Sequence, residues 1–533
     1  MSDMINTTHN NHDTLANTRP YHKYMIALLL GLSILRLITL YLSPTNLHGD
    51  EAQYWAWSRS FEFGYFSKPP MIAWVIAFTT GLFGNAEWAV RLSSPLIHPL
   101  TAYIIFRTAR FLFDARTGFW AGCLYFLMPA VWLSSTIVST DVVLLIWWAL
   151  GLNAWAHVRE TPNMKWATVL GLAIGLGMLS KYAMLFFLIA LVICTIIDAK
   201  TRKALLSKYG LIVVVIAVIF ITPNLYWNAA NDFATLNHTA ANANLKGVPI
   251  HPIELVEFIM SQLVVFGPLS FIALVAALFI VIRKPADKTV FALSVFVLSP
   301  LLIICGEAFL SRANANWAVS AYIGGAILTA HIGLRVFGKL TKAGVFVNTG
   351  IGVVFIIAVL SPSLANTMGM GNILKRVRGW PQTQSHIVDV VKRGHEGNAY
   401  HAVATDNRLV FFDLLYYKIE ADTRLPLYMW MNSVHPVHHA EKIAPLPAST
   451  ISDGPILVVN YFRNCQLTSR EEIRICLDTV HALGKQTHFE KIRSDFARLE
   501  PLPPLEIDLG GGKIRRLNLW AGYGYTPTQD IRD

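Results

Sequence analysis

A short stretch that follows the first long apolar run carries two adjacent carboxylates and a lysine. It reads His48-Gly49-Asp50-Glu51-Ala52-Gln53-Tyr54 and, a few residues later, Tyr65-Phe66-Ser67-Lys68-Pro69-Pro70. Carboxylates transfer protons and an ammonium group binds anions, so this combination is typical of a site that activates one group and stabilises negative charge on another. Its position beside an apolar segment indicates that the substrate is bound to a membrane.

The acidic pair also has a simpler explanation as a helix cap. Asp50 or Glu51 would stabilise the positive N-terminus of a helix that begins near Ala52. The same stretch, however, is rich in other aromatic, ionisable and stiff residues, namely His48, Tyr54, Trp55, Trp57, Lys68 and Pro69-Pro70. Loops that only connect two segments rarely carry such a set, so the pattern favours a functional loop.

The composition predicts the class of protein that positions this loop. Apolar residues make up 54% of the chain, charged residues 14%, and there are 15 tryptophans. These values are typical of an integral membrane protein. Eleven apolar runs are long enough to cross about 30 Å of hydrocarbon, at residues 24–42, 87–106, 117–134, 141–157, 166–180, 182–197, 209–227, 258–281, 289–306, 317–334 and 344–362. The fifth and sixth are separated only by Ser180-Lys181-Tyr182, so they form either a tight hairpin or one long helix.

The loops between these runs predict an orientation, because cytoplasmic loops retain Lys and Arg. One alternating set of loops holds most of the basic residues, whereas the other set holds only Arg59, Lys68, Lys181, Lys246 and Arg312. Residues 1–23 are therefore predicted to be cytoplasmic, and their polar composition predicts disorder. The first apolar run is long enough to serve as an uncleaved signal anchor. The Asp50 loop and everything after Leu360 are then expected outside the cytoplasm.

The segment 363–533 has a different pattern and predicts an extracytoplasmic α/β or α+β domain. Short strands are predicted at residues 402–405, 456–461 and 515–520, and amphipathic helices at 385–393 and 470–483. Several polar residues here allow either ligand binding or solvated loops, with the second explanation favoured: Asp406, Asn407, His435, His438 and His439.

The five cysteines and the charge exclude some functions. Cys123, Cys194 and Cys305 lie in or beside spans as small apolar residues, whereas Cys465 and Cys476 could form a disulfide. No pair has zinc-ribbon spacing. The net charge of +11 comes largely from the basic loops, so it does not indicate nucleic-acid binding.

Motifs along the membrane region resemble those of bacterial glycosyltransferase family 39, which is related to protein O-mannosyltransferases and lipid A aminoarabinose transferases. They are Gly49-Asp50-Glu51 with Tyr54, Tyr65-Phe66-Ser67-Lys68-Pro69-Pro70, Ala89-Val90-Arg91-Leu92, Leu112-Phe113-Asp114, Ser139-Thr140-Asp141, Gly177-Met178-Leu179-Ser180-Lys181 and Ala313-Asn314-Ala315-Asn316-Trp317. The resemblance implies a mainly α, polytopic bundle of the GT-C type at residues 24–362. It also implies a catalytic first outer loop at 43–86 and a sugar donor linked to a lipid phosphate.

The resemblance also implies roles for individual residues. Asp50, assisted by Glu51, would deprotonate the acceptor, and Lys68 would bind the donor phosphate. Arg312 and Lys181 are further predicted phosphate ligands, although interfacial snorkelling explains Lys181 equally well. Asp141 is either a helix cap or a residue that orients the acids or the acceptor. The remaining supporting residues are predicted to be His48, Tyr54, Tyr65, Asn314 and Asn316.

Two departures from these relatives refine the expected function. Ser67 stands where the aminoarabinose transferases carry an acid that helps to bind a metal, so no cofactor is predicted and a divalent metal is disfavoured. The outer loop at 228–257 is too short for the luminal domain that eukaryotic protein O-mannosyltransferases insert. A lipid or envelope-glycan acceptor is therefore favoured over a protein.

The predicted function is inverting transfer of a sugar from a polyprenyl-phosphate donor to lipid A, lipopolysaccharide or another envelope acceptor, at the periplasmic face of the bacterial inner membrane. The alternatives are an enzyme like the protein O-mannosyltransferases, or a transporter of lipid-linked sugars. Transporters place ionisable groups near the bilayer midplane on broken helices, whereas the groups here cluster at one face. Galacturonic acid, mannose, galactose and aminoarabinose all remain open as the sugar.

Overall fold

The computed structural model describes residues 14–243, 250–285, 287–431, 433, 435–448, 454–461 and 488–527. The chain divides into two compact units. The first consists of Met1–Tyr41, Lys68–Ile72 and Arg91–Ile356, and the second of Leu42–Ser67, Ala73–Val90 and Ile357–Asp533. Most of the predicted catalytic loop therefore belongs to the same unit as the C-terminal segment.

The first unit is built from helices. Its α-helices are Thr14–Leu42, Ser93–Leu112, Ala115–Phe126, Pro129–Ser134, Thr140–Glu160, Met164–Ser180, Leu185–Ile197, Ala199–Leu205, Lys208–Ala230, Ala234–Ala243, Pro252–Val265, Pro268–Arg283, Lys288–Leu310, Ala321–Leu328, Leu334–Val336 and Gly338–Leu360. Short 3-10 turns lie at Tyr182–Met184 and Ala315–Ala318, and a π-helical turn lies at Thr329–Gly333. The predicted membrane bundle of helices is confirmed.

The number of long spans is lower than the sequence predicts. Among the described residues, five helices are long and apolar enough to cross a membrane, namely Pro20–Leu42, Thr140–Glu160, Lys208–Ala230, Lys288–Leu310 and Gly338–Leu360. Two bent pairs, with angles of 110° and 113° at their breaks, raise the number to at most seven. Several of the eleven apolar runs are divided between shorter helices. In the run 117–134, for example, one helix ends at Phe126 and the next begins at Pro129, which has no N–H to continue the first.

The two alternatives for the fifth and sixth runs are resolved in favour of two helices. Met164–Ser180 ends at Lys181, whose backbone is extended with φ −163° and ψ 135°. Glycines let the first of these helices lie very close to Lys208–Ala230. A Cβ atom at Gly171 would lie 2.8 Å from the Cβ of Ile216, so a larger residue would force the two helices apart.

The second unit contains one six-stranded sheet with the order β2-β1-β3-β6-β4, and β5 pairs with β6. The strands are β1 Ala402–Thr405, β2 Leu427–Met429, β3 Ile456–Asn460, β4 Phe496–Pro501, β5 Leu505–Gly510 and β6 Lys513–Tyr525. β1 runs parallel to β2 and β3, whereas β6 is antiparallel to β3, β4 and β5. Every residue of β1 and β3 is buried, as expected for the middle of a sheet that is covered on both faces.

The remaining helices complete this unit and the loop that follows the first apolar helix. They are Gly49–Trp57, Met71–Phe83, Glu87–Arg91, Pro362–Thr367, Gly371–Leu374, the 3-10 turn Lys375–Val377, Trp380–Arg393, Arg408–Tyr416, Ile419–Thr423, His439–Ile443 and His488–Ser494. The predicted mixture of helices and strands is confirmed. The helix predicted at 470–483, Cys465 and Cys476 lie outside the described residues.

Candidate functional site

The helix Gly49–Trp57, hereafter the loop helix, begins with a reciprocal cap. The backbone N–H of His48 donates to Glu51 Oε2 at 2.9 Å, and the N–H of Asp50 donates to His48 Nδ1 at 3.2 Å. These bonds satisfy backbone donors that the first turn of any helix leaves open. Glu51 is buried by this arrangement, so the capping explanation applies to Glu51, whereas the side chain of Asp50 is 42% exposed.

An arginine from the second unit contacts Asp50. Arg408 Nη1 donates to Asp50 Oδ1 at 2.9 Å and to Gln53 Oε1 at 2.5 Å. Arg408 is the first residue of the helix Arg408–Tyr416, hereafter the tail helix, which Asn407 caps through a bond from the N–H of Leu409 to its Oδ1 at 3.0 Å. The strand β1, the cap and the helix therefore fix the position from which this guanidinium reaches Asp50.

The two helices touch closely because Gly49 has no side chain. A Cβ atom at Gly49 would lie 2.8 Å from the Cβ of Leu409, too close for any residue other than glycine without displacing the tail helix. In the Gly49-Asp50-Glu51 motif, the glycine thus allows close packing of the two helices. The aspartate pairs with Arg408, and the glutamate caps the loop helix.

A third carboxyl group lies in the tail helix. Asp413 is fully buried, and neither of its oxygens has a hydrogen-bond partner among the described residues. Burial raises the pKa of Asp413 well above its usual value; the charges of Glu51 and Asp50 act in the same direction, and Arg515 opposes them. Arg515 is itself buried, which lowers its pKa to about 10.

Aromatic side chains support the loop helix. The rings of Trp57 and Tyr65 stack with centroids 4.9 Å apart, and Tyr54 lies 5.4 Å from Trp57. The hydroxyl of Tyr65 donates to the backbone oxygens of Trp57 and Ser60 at 3.0 and 2.6 Å. These contacts and the burial of Tyr65, which raises its pKa to about 12, indicate that it orders the loop.

The polar residues that the sequence singled out in the C-terminal segment have different environments: some pack against other side chains, some cap helices and one is exposed to solvent. His439 packs edge-on against Trp57, with centroids 5.5 Å apart, and burial lowers the pKa of this histidine to about 4. His438 Nδ1 accepts the N–H of Glu441 at 3.3 Å and caps a helix, and His435 is exposed. Asp406 accepts the N–H of Tyr461 at 3.0 Å. The solvated explanation thus describes His435 but not His438, His439 or Asp406.

In the first unit, three predicted residues form a compact group. Lys181 Nζ lies 2.6 Å from Asp141 Oδ1, and Asn316 Nδ2 donates to Asp141 Oδ2 at 2.6 Å. Asp141 lies in the first turn of Thr140–Glu160, where its charge also complements the positive end of the helix. Lys181 therefore has a carboxylate partner, which neither snorkelling nor phosphate binding predicted.

The other predicted phosphate ligands differ in environment. Arg312 is exposed, and no hydrogen bond or ion pair to another described residue involves it. Asn314 is also exposed, and Lys68 is half-buried and precedes the buried Pro69 and Pro70.

One group among the described residues has the geometry to hold a metal ion, and it contains none of the predicted site residues. Ligand atoms of His395, Glu396 and Glu500 lie within 4.8 Å of one another. Arg498, however, donates to Glu396 at 2.7 Å and lies 3.2 Å from Glu500, so a guanidinium already neutralises both carboxylates.

Sequence reasoning missed Arg408, Gln53 and Asp413. A signal was present, because Asp406-Asn407-Arg408 is a polar run between the apolar strand β1 and an apolar helix, and Asp413 is the one acidic residue in the sequence of that helix. Nothing in the sequence, however, relates Arg408 to Asp50, which lies 358 residues earlier.

Comparisons with known proteins identify the family. The family described as dolichyl-phosphate-mannose-protein mannosyltransferase matches residues 67–227. The lipid A galacturonosyltransferase RgtD of Rhizobium johnstonii is 32% identical over 401 residues, which cover 75% of this chain and 84% of that protein. Undecaprenyl phosphate-alpha-4-amino-4-deoxy-L-arabinose arabinosyl transferase 2 of Pseudomonas fluorescens is 28% identical over 223 residues, which cover 38% of this chain and 40% of that protein.

A solved structure shares the fold. ArnT from Cupriavidus metallidurans in the apo state superposes with a TM-score of 0.62 at 14% identity, covering 96% of this chain and 99% of that one. The long match to RgtD and the shared fold establish the relationship that the motifs indicated: the chain belongs to the family of GT-C membrane glycosyltransferases that includes lipid A galacturonosyltransferase RgtD.

Proposed function

We propose that this glycosyltransferase moves a uronic acid, galacturonic acid above all, from a polyprenyl-phosphate donor to lipid A. The observation that carries the proposal is the 32% identity to a lipid A galacturonosyltransferase over 75% of the chain. The donor class is supported by the undecaprenyl-phosphate sugar in the name of the relative from Pseudomonas fluorescens.

The proposed chemistry is a direct displacement. Asp50 accepts the proton of an acceptor hydroxyl while that oxygen forms a bond to the anomeric carbon of the sugar. The bond from this carbon to the phosphate oxygen breaks, and the polyprenyl phosphate leaves with the electron pair, so the anomeric configuration inverts. Asp50 suits this role because it is the exposed acid of its pair and Arg408 fixes one of its oxygens.

Glu51 acts in this proposal through the loop helix. Its carboxylate is buried and accepts the N–H of His48, so it orients the turn that carries Asp50. The cations proposed to stabilise the departing phosphate are Lys68, Arg312 and Lys181. Arg312 is the best supported of them, because it is exposed and its guanidinium can bind phosphate oxygens in a bidentate manner.

The proposed topology places residues 1–23 in the cytoplasm of a bacterium, the transmembrane catalytic domain 24–362 in its inner membrane and residues 363–533 in the periplasm. The unequal distribution of Lys and Arg between alternating loops supports this orientation. The grouping of Leu42–Ser67 with Ile357–Asp533 in one compact unit supports a common side for the catalytic loop and the C-terminal domain.

The proposal is tested by mass spectrometry of lipid A and lipopolysaccharide from a deletion strain. The strain is complemented with the wild type, with Asp50→Asn or with Asp389→Asn, which removes an exposed carboxylate elsewhere in the second unit. The wild type and Asp389→Asn are expected to restore a lipid A species that carries one additional hexuronic acid, and Asp50→Asn to restore none at equal expression.

Other outcomes of this experiment contradict specific parts of the proposal. A restored mass of a neutral hexose or of aminoarabinose excludes the uronic acid. A restored mass on the saccharide part of the lipopolysaccharide, with lipid A unchanged, excludes lipid A as the acceptor. Full restoration by Asp50→Asn excludes this residue as the base.

A further inference from the structure

Arg408 has hydrogen-bond donors that no described residue accepts. A guanidinium carries five N–H groups. Nη1 donates to Asp50 and Gln53, and no other hydrogen bond from Arg408 to a described residue is present. The N–H groups on Nε and Nη2 are therefore directed to no described protein acceptor, and the side chain is 38% exposed.

Arg159, which has a structural role in the same chain, has a different set of hydrogen bonds. Arg159 donates from Nε and Nη2 to the two oxygens of Asp198 at 2.9 and 3.1 Å, and its Nη1 pairs with Glu160. Its side chain is 2% exposed. All three nitrogens of Arg159 thus have partners within the protein, whereas among the described residues only Nη1 of Arg408 has any.

The stabilising effect of the Asp50–Arg408 pair alone does not explain why an arginine stands at this position. Partly exposed ion pairs contribute about 0–1 kcal/mol to stability. The planar edge formed by Nε and Nη2 matches two oxygens of a carboxylate or a phosphate, and lysine cannot reproduce that geometry.

We propose that Arg408 binds an oxyanion of the sugar donor, either the carboxylate of the uronosyl group or the phosphate, while its Nη1 stays on Asp50. Arg408 would then be a donor-binding residue that the C-terminal domain supplies, and it would also set the choice of sugar if its partner is the carboxylate. The inference rests on the proposed function and adds a donor-binding residue to it. One guanidinium that holds both the base and the donor fixes the distance between them. Such fixed positioning accounts for a large part of the rate enhancement of an enzyme over the reaction in solution.

The test compares two donors that share a carrier and differ in one group. Purified wild type, Arg408→Gln and Arg408→Lys are assayed with undecaprenyl-phosphate galacturonic acid and with undecaprenyl-phosphate galactose, at saturating lipid A. Arg393→Gln is the matched control, since it removes an exposed arginine from another helix of the same unit. Direct binding of both donors is measured alongside turnover.

Arg408→Gln is expected to raise the KM and the Kd for the galacturonic acid donor at least tenfold, and Arg393→Gln to leave both unchanged. Arg408→Lys is expected to recover only part of the loss, because an ammonium lacks the planar edge. If Arg408 binds the carboxylate, the galactose donor is unaffected and the preference for the uronic acid disappears. If it binds the phosphate, both donors lose affinity by the same factor.

Unchanged KM and Kd for both donors in Arg408→Gln overturn the inference. These results are distinct from a failure of the proposed function, in which the wild type itself transfers neither sugar. Binding measurements remain informative in that case, because they do not require turnover. If Arg408→Gln does not fold, the comparison of Arg408→Lys with the wild type decides the question.

Discussion

Two carboxylate–cation pairs in this protein have similar distances and different surroundings. In the second unit, Asp50 and Arg408 meet at 2.9 Å with side chains 42% and 38% exposed. In the first unit, Asp141 and Lys181 meet at 2.6 Å with side chains 14% and 18% exposed, and Asn316 binds the second oxygen of Asp141. The first pair is the more open to solvent, and Nε and Nη2 of Arg408 have no acceptor among the described residues. The second pair is the more enclosed, and both of its carboxylate oxygens have described partners.

This difference separates two uses of charge. An open pair adds little stability but leaves its groups accessible to a substrate. An enclosed pair is expensive to break, because the remaining charge loses its partner in a poorly solvated place. We therefore expect substitutions at the open pair to reduce activity, and substitutions at the enclosed pair to reduce stability first.

The largest effect is expected for Asp50→Asn. Loss of a general base typically reduces the rate by about 10²–10⁴-fold, and the asparagine retains an oxygen that can accept from Arg408. The measurement is kcat with purified protein and saturating donor, together with the melting temperature. A drop of this size in kcat with an unchanged melting temperature supports the expectation that the Asp50–Arg408 pair serves activity and not stability. A kcat within a few fold of the wild type would assign Asp50 to packing instead.

Asp141→Asn tests the enclosed pair. It leaves Lys181 without a charged partner, and we expect a loss of about 1–3 kcal/mol in stability, less than for a fully buried pair. Asp141→Asn/Lys181→Met is expected to recover part of that loss, because it removes both charges together. Thermal unfolding in detergent measures both variants. If Lys181→Met alone leaves stability unchanged and raises the KM for the donor, Lys181 binds phosphate as the sequence predicted.

The features that the sequence predicted well depend on neighbours along the chain. The strand at 402–405 was predicted at its observed bounds because four apolar or β-favouring residues follow one another. The cap of the loop helix was predicted as one alternative because Asp50 and Glu51 directly precede the helix expected near Ala52, and in the structure Glu51 accepts the N–H of His48.

The features that the sequence did not predict depend on distant contacts. Asp50 meets Arg408 only because β1 and the cap at Asn407 orient the tail helix, and no local pattern encodes that geometry. The apolar run 317–334 was expected as one span, yet it begins in a 3-10 turn and includes a π-helical turn. Apolarity alone does not indicate where the hydrogen bonding of a helix changes.

Asp413 provides a test of the second unit by pH. Its pKa is raised by burial, so the folded protein holds a proton that the unfolded chain releases above about pH 4. Folding therefore binds protons in this range, and the contribution of Asp413 to stability falls as pH rises from about 4 towards its folded pKa. Asp413→Asn carries no titrating group, so its melting temperature relative to the wild type should rise with pH.

Melting curves between pH 5 and pH 8 check this expectation, with Asp389→Asn as the control for an exposed acid. A constant difference between Asp413→Asn and the wild type would mean that Asp413 keeps its charge in the folded state, stabilised by Arg515. In that case the carboxyl group belongs with the enclosed pairs and not with the groups around Asp50.

The smallest effect is expected for Glu51. Glu51→Ala removes the acceptor for the N–H of His48, and loss of a cap costs about 0.5–2 kcal/mol. Glu51→Gln keeps an oxygen at that position and should cost less. If Glu51 acts only as a cap, kcat at a temperature well below melting stays within a few fold of the wild type in both variants. A loss of kcat in Glu51→Gln as large as that in Asp50→Asn would instead show that the negative charge of Glu51 takes part in the reaction. Both acids of the Asp50-Glu51 pair would then belong with the groups whose substitution reduces activity first.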